Sequence, residues 1–446
     1  MSAIDWVPGD MLGLQIPAHS EALRAGGESF LTDAFRSAGA LAADNRVTRI
    51  TQFEECPGGS TGRKLFLSVA YEKPAPGLFT ALFVKFSRDF DDAIRDRAKI
   101  QMESEVRFAL LSRTPGFPIA VPTCLFADYH KESGTGILIT QRVAYATEGV
   151  ERHYEKCLDY TMPAPLEHYQ ALIKSVARLA GTNCAGRLRD GSPNNPNDIA
   201  EQFPFDAGGL TVADRVPYTA KQLQNRVARY GEFAAKFPQL LPVNLTSSAF
   251  ISQLSAEVAR FPEHESAIKT FLHSKPEFIA LCHWNANVDN AWFWRNARGE
   301  IECGLLDWGH VSQMNVAMAL WGCLSGAETQ FLDDHLDALL ALFVAEFRRY
   351  GGPPVEVGEL KFHLHLYIAT MGLAWLMDAP ALIQAQIPDL AAIDNRFDPR
   401  FSTNETARAQ LQLMTTFLNL WRNQDFGRVL DRFISEQSDA TAAPKR

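Results

Sequence analysis

"LCHWNANVDNAWFW", Leu281 to Trp294, sets a histidine, three asparagines and an aspartate between apolar flanks. A second polar interruption, "LLDWGH", follows at Leu305 to His310. Both stretches otherwise read as buried strands, where a carboxamide or carboxylate is costly unless it is paired. The segment "NAWFWRNARGEIECGLLDWG" reads as a hairpin: a strand, the turn "NARGE", and a second strand ending at Asp307. Folding back brings Asn290, at the first end, beside Asp307, at the far end. Two such oxygens suit a hard divalent cation, which keeps waters and takes phosphate oxygens as its other ligands. The same residue types also cap polar turns, and the hairpin alone leaves both readings open.

Upstream the signals are strand-like. "VTRITQFEEC" is followed by the turn-rich "PGGSTGR", then "KLFLSVAYEK", "PAPG" and "LFTALFVKFSR". A polar run with helical periodicity follows from Asp91 to about Arg113. "VPTCLFADYH" and "TGILITQRV" then read as two more strands. The pattern is five antiparallel strands with one helix after the third. From about residue 165 the spacing of apolar residues turns helical, opening with "PLEHYQALIKSVARLAG". The expected organisation is an N-terminal helical extension over 1–46, a β-rich N-lobe over 47–143, and an α-rich C-lobe over 144–435. An insertion occupies 190–250, and a disordered tail closes the chain over 436–446. The fold class is therefore α+β and two-lobed, with a small antiparallel β lobe and a larger, mainly helical one.

Composition narrows the function. With 446 residues, 46% of them hydrophobic, the chain has apolar material for more than one core. A net charge of −9 with scattered Lys and Arg argues against a nucleic-acid stripe or a polybasic membrane patch. The seven cysteines are odd in number and form no C-x-x-C pair, which fits a reducing, cytoplasmic setting. The start carries no basic segment ahead of an apolar run, so it does not read as a signal peptide. The longest apolar stretch, "LHLYIATMGLAWLM", falls short of the ~20 residues that span a bilayer.

His283, Asn290 and Asp307 match the H-G-D-x-x-x-x-N … D pattern, and the chain resembles the protein-kinase-like phosphotransferases. The nearest resemblance is to the aminoglycoside phosphotransferase, choline kinase and ecdysteroid-kinase-like group. The spacing from His283 to Asn290 is that family's, and "LLDWG" looks like its second metal-binding segment. The resemblance implies a two-lobed kinase-like fold and transfer of phosphate from ATP, with Mg2+, to a hydroxyl of a small molecule. It implies that Asn290 and Asp307 hold metal. Lys85, alone in the apolar strand "ALFVKF", would bind phosphates and pair with a helix glutamate. Without the resemblance, Lys85 reads as a lysine that meets a carboxylate, or as one that snorkels from an edge strand. Glu103 and Glu105 lie about 200° apart around a helix, so only one faces inward. Glu105 shares its face with Met102, Phe108 and Ala109, and is the one chosen. Gly58, Gly59, Ser60, Thr61 and Gly62 fall where the family has its phosphate-covering loop, although a Gly-rich turn of this kind also serves as a plain hairpin.

One position departs from the pattern. Asn285 stands where the family has the aspartate that accepts the acceptor's proton. A carboxamide orients a hydroxyl but has no useful basicity. Asp289 is the nearest spare carboxylate, either a substitute base or a turn-stabilising side chain, and His283 is expected to brace the loop. "NVDN" also resembles the loop of selenoprotein O, a kinase-fold protein that transfers AMP to protein. The alternatives to a small-molecule kinase are thus AMP transfer of that kind or a pseudokinase that only binds nucleotide. His310 reads as a phosphate contact or a turn cap. The apolar "MNVAMALWGCLSGA" leans toward a less polar alcohol as acceptor.

Overall fold

The computed structural model describes residues 4–56, 62–92, 95–188, 199–205 and 216–442. They divide into two compact units. The first takes the described residues of 1–151, 186–204 and 304–312; the second takes those of 152–185, 205–303 and 313–446.

A hairpin of β1 (Trp6–Pro8) and β2 (Gln15–Pro17) opens the first unit, and α1 (Ser20–Ser37) follows. Residues 6–17, expected to be helical, are instead extended because Asp128 captures the turn. Its carboxylate accepts from Met11 N at 2.9 Å and Leu12 N at 3.0 Å. The five expected strands are present: β3 (Val47–Cys56), β4 (Lys64–Tyr71), β5 (Ala81–Phe86), β6 (Cys124–His130) and β7 (Thr135–Gln141). They form one antiparallel sheet in the order β3-β4-β5-β7-β6. The inserted helix is α2 (Arg95–Leu111). Alternation decides which face each helix covers. Leu65, Leu67, Val84, Ile137 and Ile139 pack with Leu23, Leu31 and Phe35 of α1. Ala127, Tyr129 and Leu138 face the other way and pack with Met102, Val106 and Ala109 of α2. Lys85 stands in register with Leu138, so it belongs to the α2 face. The short α4 (Ile199–Gln202) also lies in this unit.

The second unit is mainly helical. Its first helix, α3 (Pro165–Cys184), begins with a proline whose missing N–H costs nothing at that position. Of the 190–250 insertion, the structure describes α4, α5 (Ala220–Lys236) and the start of α6 (Ser248–Val258). A capping box of Thr219 and Gln222 starts α5. After α7 (Phe261–Ser274) come four short strands: β8 (Ile279–His283), β9 (Ala291–Arg295), β10 (Ile301–Leu305) and β11 (Val311–Asn315). β9 pairs with β10 and β8 with β11, as small two-stranded sheets. The remaining helices are α8 (Val316–Leu324), α9 (Thr329–Arg349), α10 (Val357–Trp375), α11 (Ala379–Gln386), α12 (Pro399–Ser402), α13 (Glu405–Asn423) and α14 (Phe426–Ala442). The helical α14 overruns the boundary expected for a disordered tail at 436. Arg432 and Glu436 pair one turn apart at 2.7 Å and keep that segment helical. No single helix among the described residues is long and apolar enough to cross a membrane. All seven cysteines are free.

Every residue of α8 is buried. It lies so near the loop after β8 that a Cβ on Gly322 would come 1.7 Å from the Trp284 carbonyl oxygen. Only glycine permits that approach. Gly322→Ala is expected to destabilise the protein by about 3 kcal/mol, read as a lower urea midpoint; an unchanged midpoint contradicts the close packing.

Candidate active site

In the first unit the sheet buries a charge. Lys85 is 2% exposed, and its Nζ donates to Glu105 Oε2 at 2.5 Å and to Asp307 Oδ1 at 2.8 Å. Glu103, on the other face of α2, instead pairs with Arg107 at 2.8 Å. Burial works against the Lys85 charge, but the two carboxylates more than offset it and hold the ammonium above its ordinary pKa. Burial, assisted by the nearby Asp307 charge, pushes Glu105 up even though Lys85 pulls it down. One cation thus neutralises two carboxylates.

The "LLDWGH" segment is fixed from two sides. Leu305 N donates to Ala120 O at 3.0 Å. The Trp308 ring stacks on Phe108 of α2 with centroids 3.7 Å apart. Between these anchors Asp307 has a φ of 64°, a left-handed conformation that costs a non-glycine residue about 1–2 kcal/mol. That strain aims its carboxylate at Lys85. Burial lowers the pKa of His310, with Asp307 opposing the shift.

In the second unit the loop after β8 is tied into a knot of carboxamides. His283 is fully buried, and its Nδ1 accepts from Asn285 N at 3.1 Å. Asn290 Nδ2 donates to Asn285 O at 2.8 Å, leaving the carboxamide oxygen as the end suited to a cation. Asn287 Nδ2 donates to Asn285 Oδ1 at 2.6 Å, and Ser325 Oγ to Asn287 Oδ1 at 3.2 Å. Trp284 Nε1 donates to Tyr367 OH at 2.7 Å, which fixes the indole against α10. Burial raises the pKa of Asp289, with Lys156 opposing it. Its Oδ1 has no hydrogen-bond partner among the described residues.

The structure brings Lys85, Glu105 and Asp307 together in one unit, and His283, Asn285 and Asn290 together in the other. Asn290 and Asp307 belong to different units. Gly58, Gly59, Ser60 and Thr61 lie outside the described residues. Gly62 is described, and packing accounts for it: a Cβ there would meet Phe86 O at 1.9 Å. The apolar run through α8 is core, so it supplies no surface for an acceptor. Among the described residues no three His, Cys, Asp or Glu side chains cluster as a metal cage. Hard oxygens such as those of Asp307 and Asn290 suit magnesium, which takes few protein ligands beside waters and phosphates.

One group had no sequence motif to announce it. Asp159, in a short turn before α3, is 4% exposed. Burial pushes its carboxyl up to about 7; Tyr169 OH, which donates to Oδ2, opposes that shift, while Glu328 and Asp289 add to it.

No protein-family model matches the chain, and no curated protein matches it significantly. Solved structures similar to it include choline kinase from Cryptosporidium parvum Iowa II, at 11% identity and a TM-score of 0.41, covering 86% of this chain and 93% of that one. Plasmodium vivax ethanolamine kinase is similar at 11% identity and a TM-score of 0.39, covering 85% of this chain and 84% of that one. A spectinomycin phosphotransferase in complex with ADP and spectinomycin is similar at 14% identity and a TM-score of 0.38, covering 86% and 93%. Two of these proteins are kinases and the third is a phosphotransferase.

Two measurements probe these environments. Lys85→Met leaves two carboxylates without their counter-charge and is expected to cost about 3 kcal/mol, seen in urea unfolding at pH 7; an unchanged midpoint contradicts the buried pairing. For Asp159 the folded pKa lies above the unfolded one. Its contribution is therefore full below the unfolded value near 3.8 and is lost as pH rises through about 7. Asp159→Asn should match the parent's stability at pH 4 and exceed it at pH 8 by roughly 3 kcal/mol. A difference independent of pH contradicts the burial of a titrating carboxyl.

Proposed function

We propose that the protein is a phosphotransferase that moves the γ-phosphoryl group of ATP, with magnesium, to a hydroxyl of a small molecule. The observation that carries this reading is the buried Lys85 ammonium held between Glu105 and Asp307. A purely structural ion pair needs one carboxylate. A lysine flanked by two, one of them 30% exposed and held at a left-handed φ, is suited to exchanging a carboxylate contact for a phosphate oxygen. The His283-to-Asn290 spacing supports the same reading.

In this scheme Lys85 binds phosphate oxygens and Glu105 holds Lys85 in place. Asp307 and Asn290 are the residues that would hold magnesium, which supplies charge neutralisation at the phosphates. Asn285, its backbone braced by His283, orients the acceptor hydroxyl through its carboxamide. Phosphoryl transfer is mostly positioning and charge stabilisation, so a carboxamide at 285 weakens the step without removing its main sources of rate. Choline, ethanolamine and spectinomycin are the acceptors to try first.

Asp307→Ala is expected to abolish magnesium-dependent ATP binding in isothermal titration; binding equal to the parent's sinks the metal assignment. Asn285→Asp should raise phosphoryl transfer by about a hundredfold, the low end for a positioned base. Bound ATP with no transfer in either protein would instead identify a pseudokinase, and AMP attached to protein would identify nucleotidyl transfer.

A further inference from the structure

Resting on the phosphotransferase reading, we propose that the acceptor is an acidic hydroxyl, of which a phenol is the common case, and that it reacts as its oxyanion while Asn285 Nδ2 donates to the attacking oxygen. The carboxamide has a defined direction. Asn285 Oδ1 accepts from Asn287 Nδ2 at 2.6 Å, and Asn287 Oδ1 accepts from Ser325 Oγ at 3.2 Å. Asn287 is 5% exposed and Ser325 7%, so this chain of bonds is shielded from water. A serine hydroxyl has one proton to give, and Asn287 Oδ1 receives it. That turns the oxygen end of Asn287 toward Ser325 and its amino end toward Asn285. The oxygen end of Asn285 is thereby engaged. Its Nδ2 has no hydrogen-bond partner among the described residues, and the residue is half-buried, not enclosed. What position 285 presents to an acceptor is an N–H donor.

A donor suits one kind of nucleophile. A neutral alcohol has to shed its proton as it attacks, and a carboxamide cannot take it. An oxyanion has no proton to shed, and it gains a charge-assisted hydrogen bond from the amide. The transition state of phosphoryl transfer is loose, with little bonding to the nucleophile. The ionised fraction of the acceptor therefore weighs more than the basicity of its oxyanion. As a lone pair of the acceptor oxygen bonds to the γ-phosphorus, the bond from phosphorus to the β–γ bridging oxygen breaks, and nucleoside diphosphate departs with that electron pair. The acceptor's proton is already in solvent, so the step needs no base. Asp289 is the one carboxylate within the loop, and its Oδ1 is sealed from solvent. The charged groups that face Asp289 are Lys156, His153, Asp159 and Glu405, and His153 Nε2 donates to Asp289 O at 2.9 Å.

The test is an acceptor series with the full-length chain and magnesium-ATP. Benzyl alcohol, phenol and the more acidic para-cyanophenol are compared by the ADP and phosphate ester formed across pH 6 to 9. Cyanophenol should exceed phenol. Phenol should exceed benzyl alcohol in kcat/KM by about a hundredfold or more, the advantage that a general base would otherwise supply to the alcohol. The rising pH limb should move with the acceptor's own pKa, about 10 for an unsubstituted phenol and lower for the cyano compound. Asn285→Asp sets a carboxylate against the oxyanion and supplies a base, so it should gain with benzyl alcohol and lose with cyanophenol. Asn287→Asp offers Asn285 only acceptor oxygens, turns its amide over and should erase the phenol preference; a merely structural Asn287 would lower all rates alike. The parent's own series decides even where a variant does not fold. Benzyl alcohol, choline or ethanolamine phosphorylated as fast as cyanophenol, or a pH limb that stays fixed across the series, overturns the proposal and leaves the phosphotransferase reading standing. So does a phenol preference that Asn285→Asp leaves unchanged. Transfer to none of these acceptors above the Asp307→Ala background overturns both.

Discussion

A lysine ammonium buried in a β-sheet is the constraint on which the rest depends. Left alone in that position, the charge would be prohibitive. The fold meets it with Glu105 from α2 and with Asp307 from the segment after β10. Each partner has to be delivered accurately. The packing of Met102 and Val106 on the sheet sets the rotation of α2, and stacking of Trp308 on Phe108 carries the Asp307 segment onto the same helix. A change in either packing contact would therefore act on the charge cluster as well as on the core.

The second unit solves a different problem with neutral groups. Its loop after β8 replaces ionic contacts with a carboxamide network: Asn287 to Asn285, Asn290 to the Asn285 carbonyl, and Ser325 to Asn287. Amides are directional and do not titrate, so these particular contacts do not depend on protonation. Two carboxyls do titrate in this unit, Asp289 within the loop and Asp159 before α3, and burial raises the pKa of both.

Much of this was legible in the sequence because it rests on local periodicity. The five strands and the helix after the third follow from alternation and turn residues, and the structure has them in the expected order. The lone Lys in "ALFVKF" and the helical geometry that separates Glu105 from Glu103 point to a charge pair from the sequence alone. What the sequence hid depends on long-range capture. The hairpin at 6–17 exists because Asp128, more than a hundred residues away, takes its turn amides. Gly322 and Gly326 look interchangeable in "WGCLSGA", yet a Cβ on the first would collide with the Trp284 carbonyl, whereas one on the second would meet Asp159 and Asn287 at ordinary contact distance. Asp159 sits in "KCLDYTMP", with no periodicity or spacing to mark it. Its character comes entirely from what folds around it.

The fate of the terminal phosphate decides most directly what this protein does. Phosphorus NMR of magnesium-ATP incubated with the protein and candidate hydroxyl acceptors follows each phosphate separately. ADP with a new phosphomonoester resonance is the predicted result. Pyrophosphate or protein-bound AMP, or ATP left unchanged with every acceptor, would contradict it.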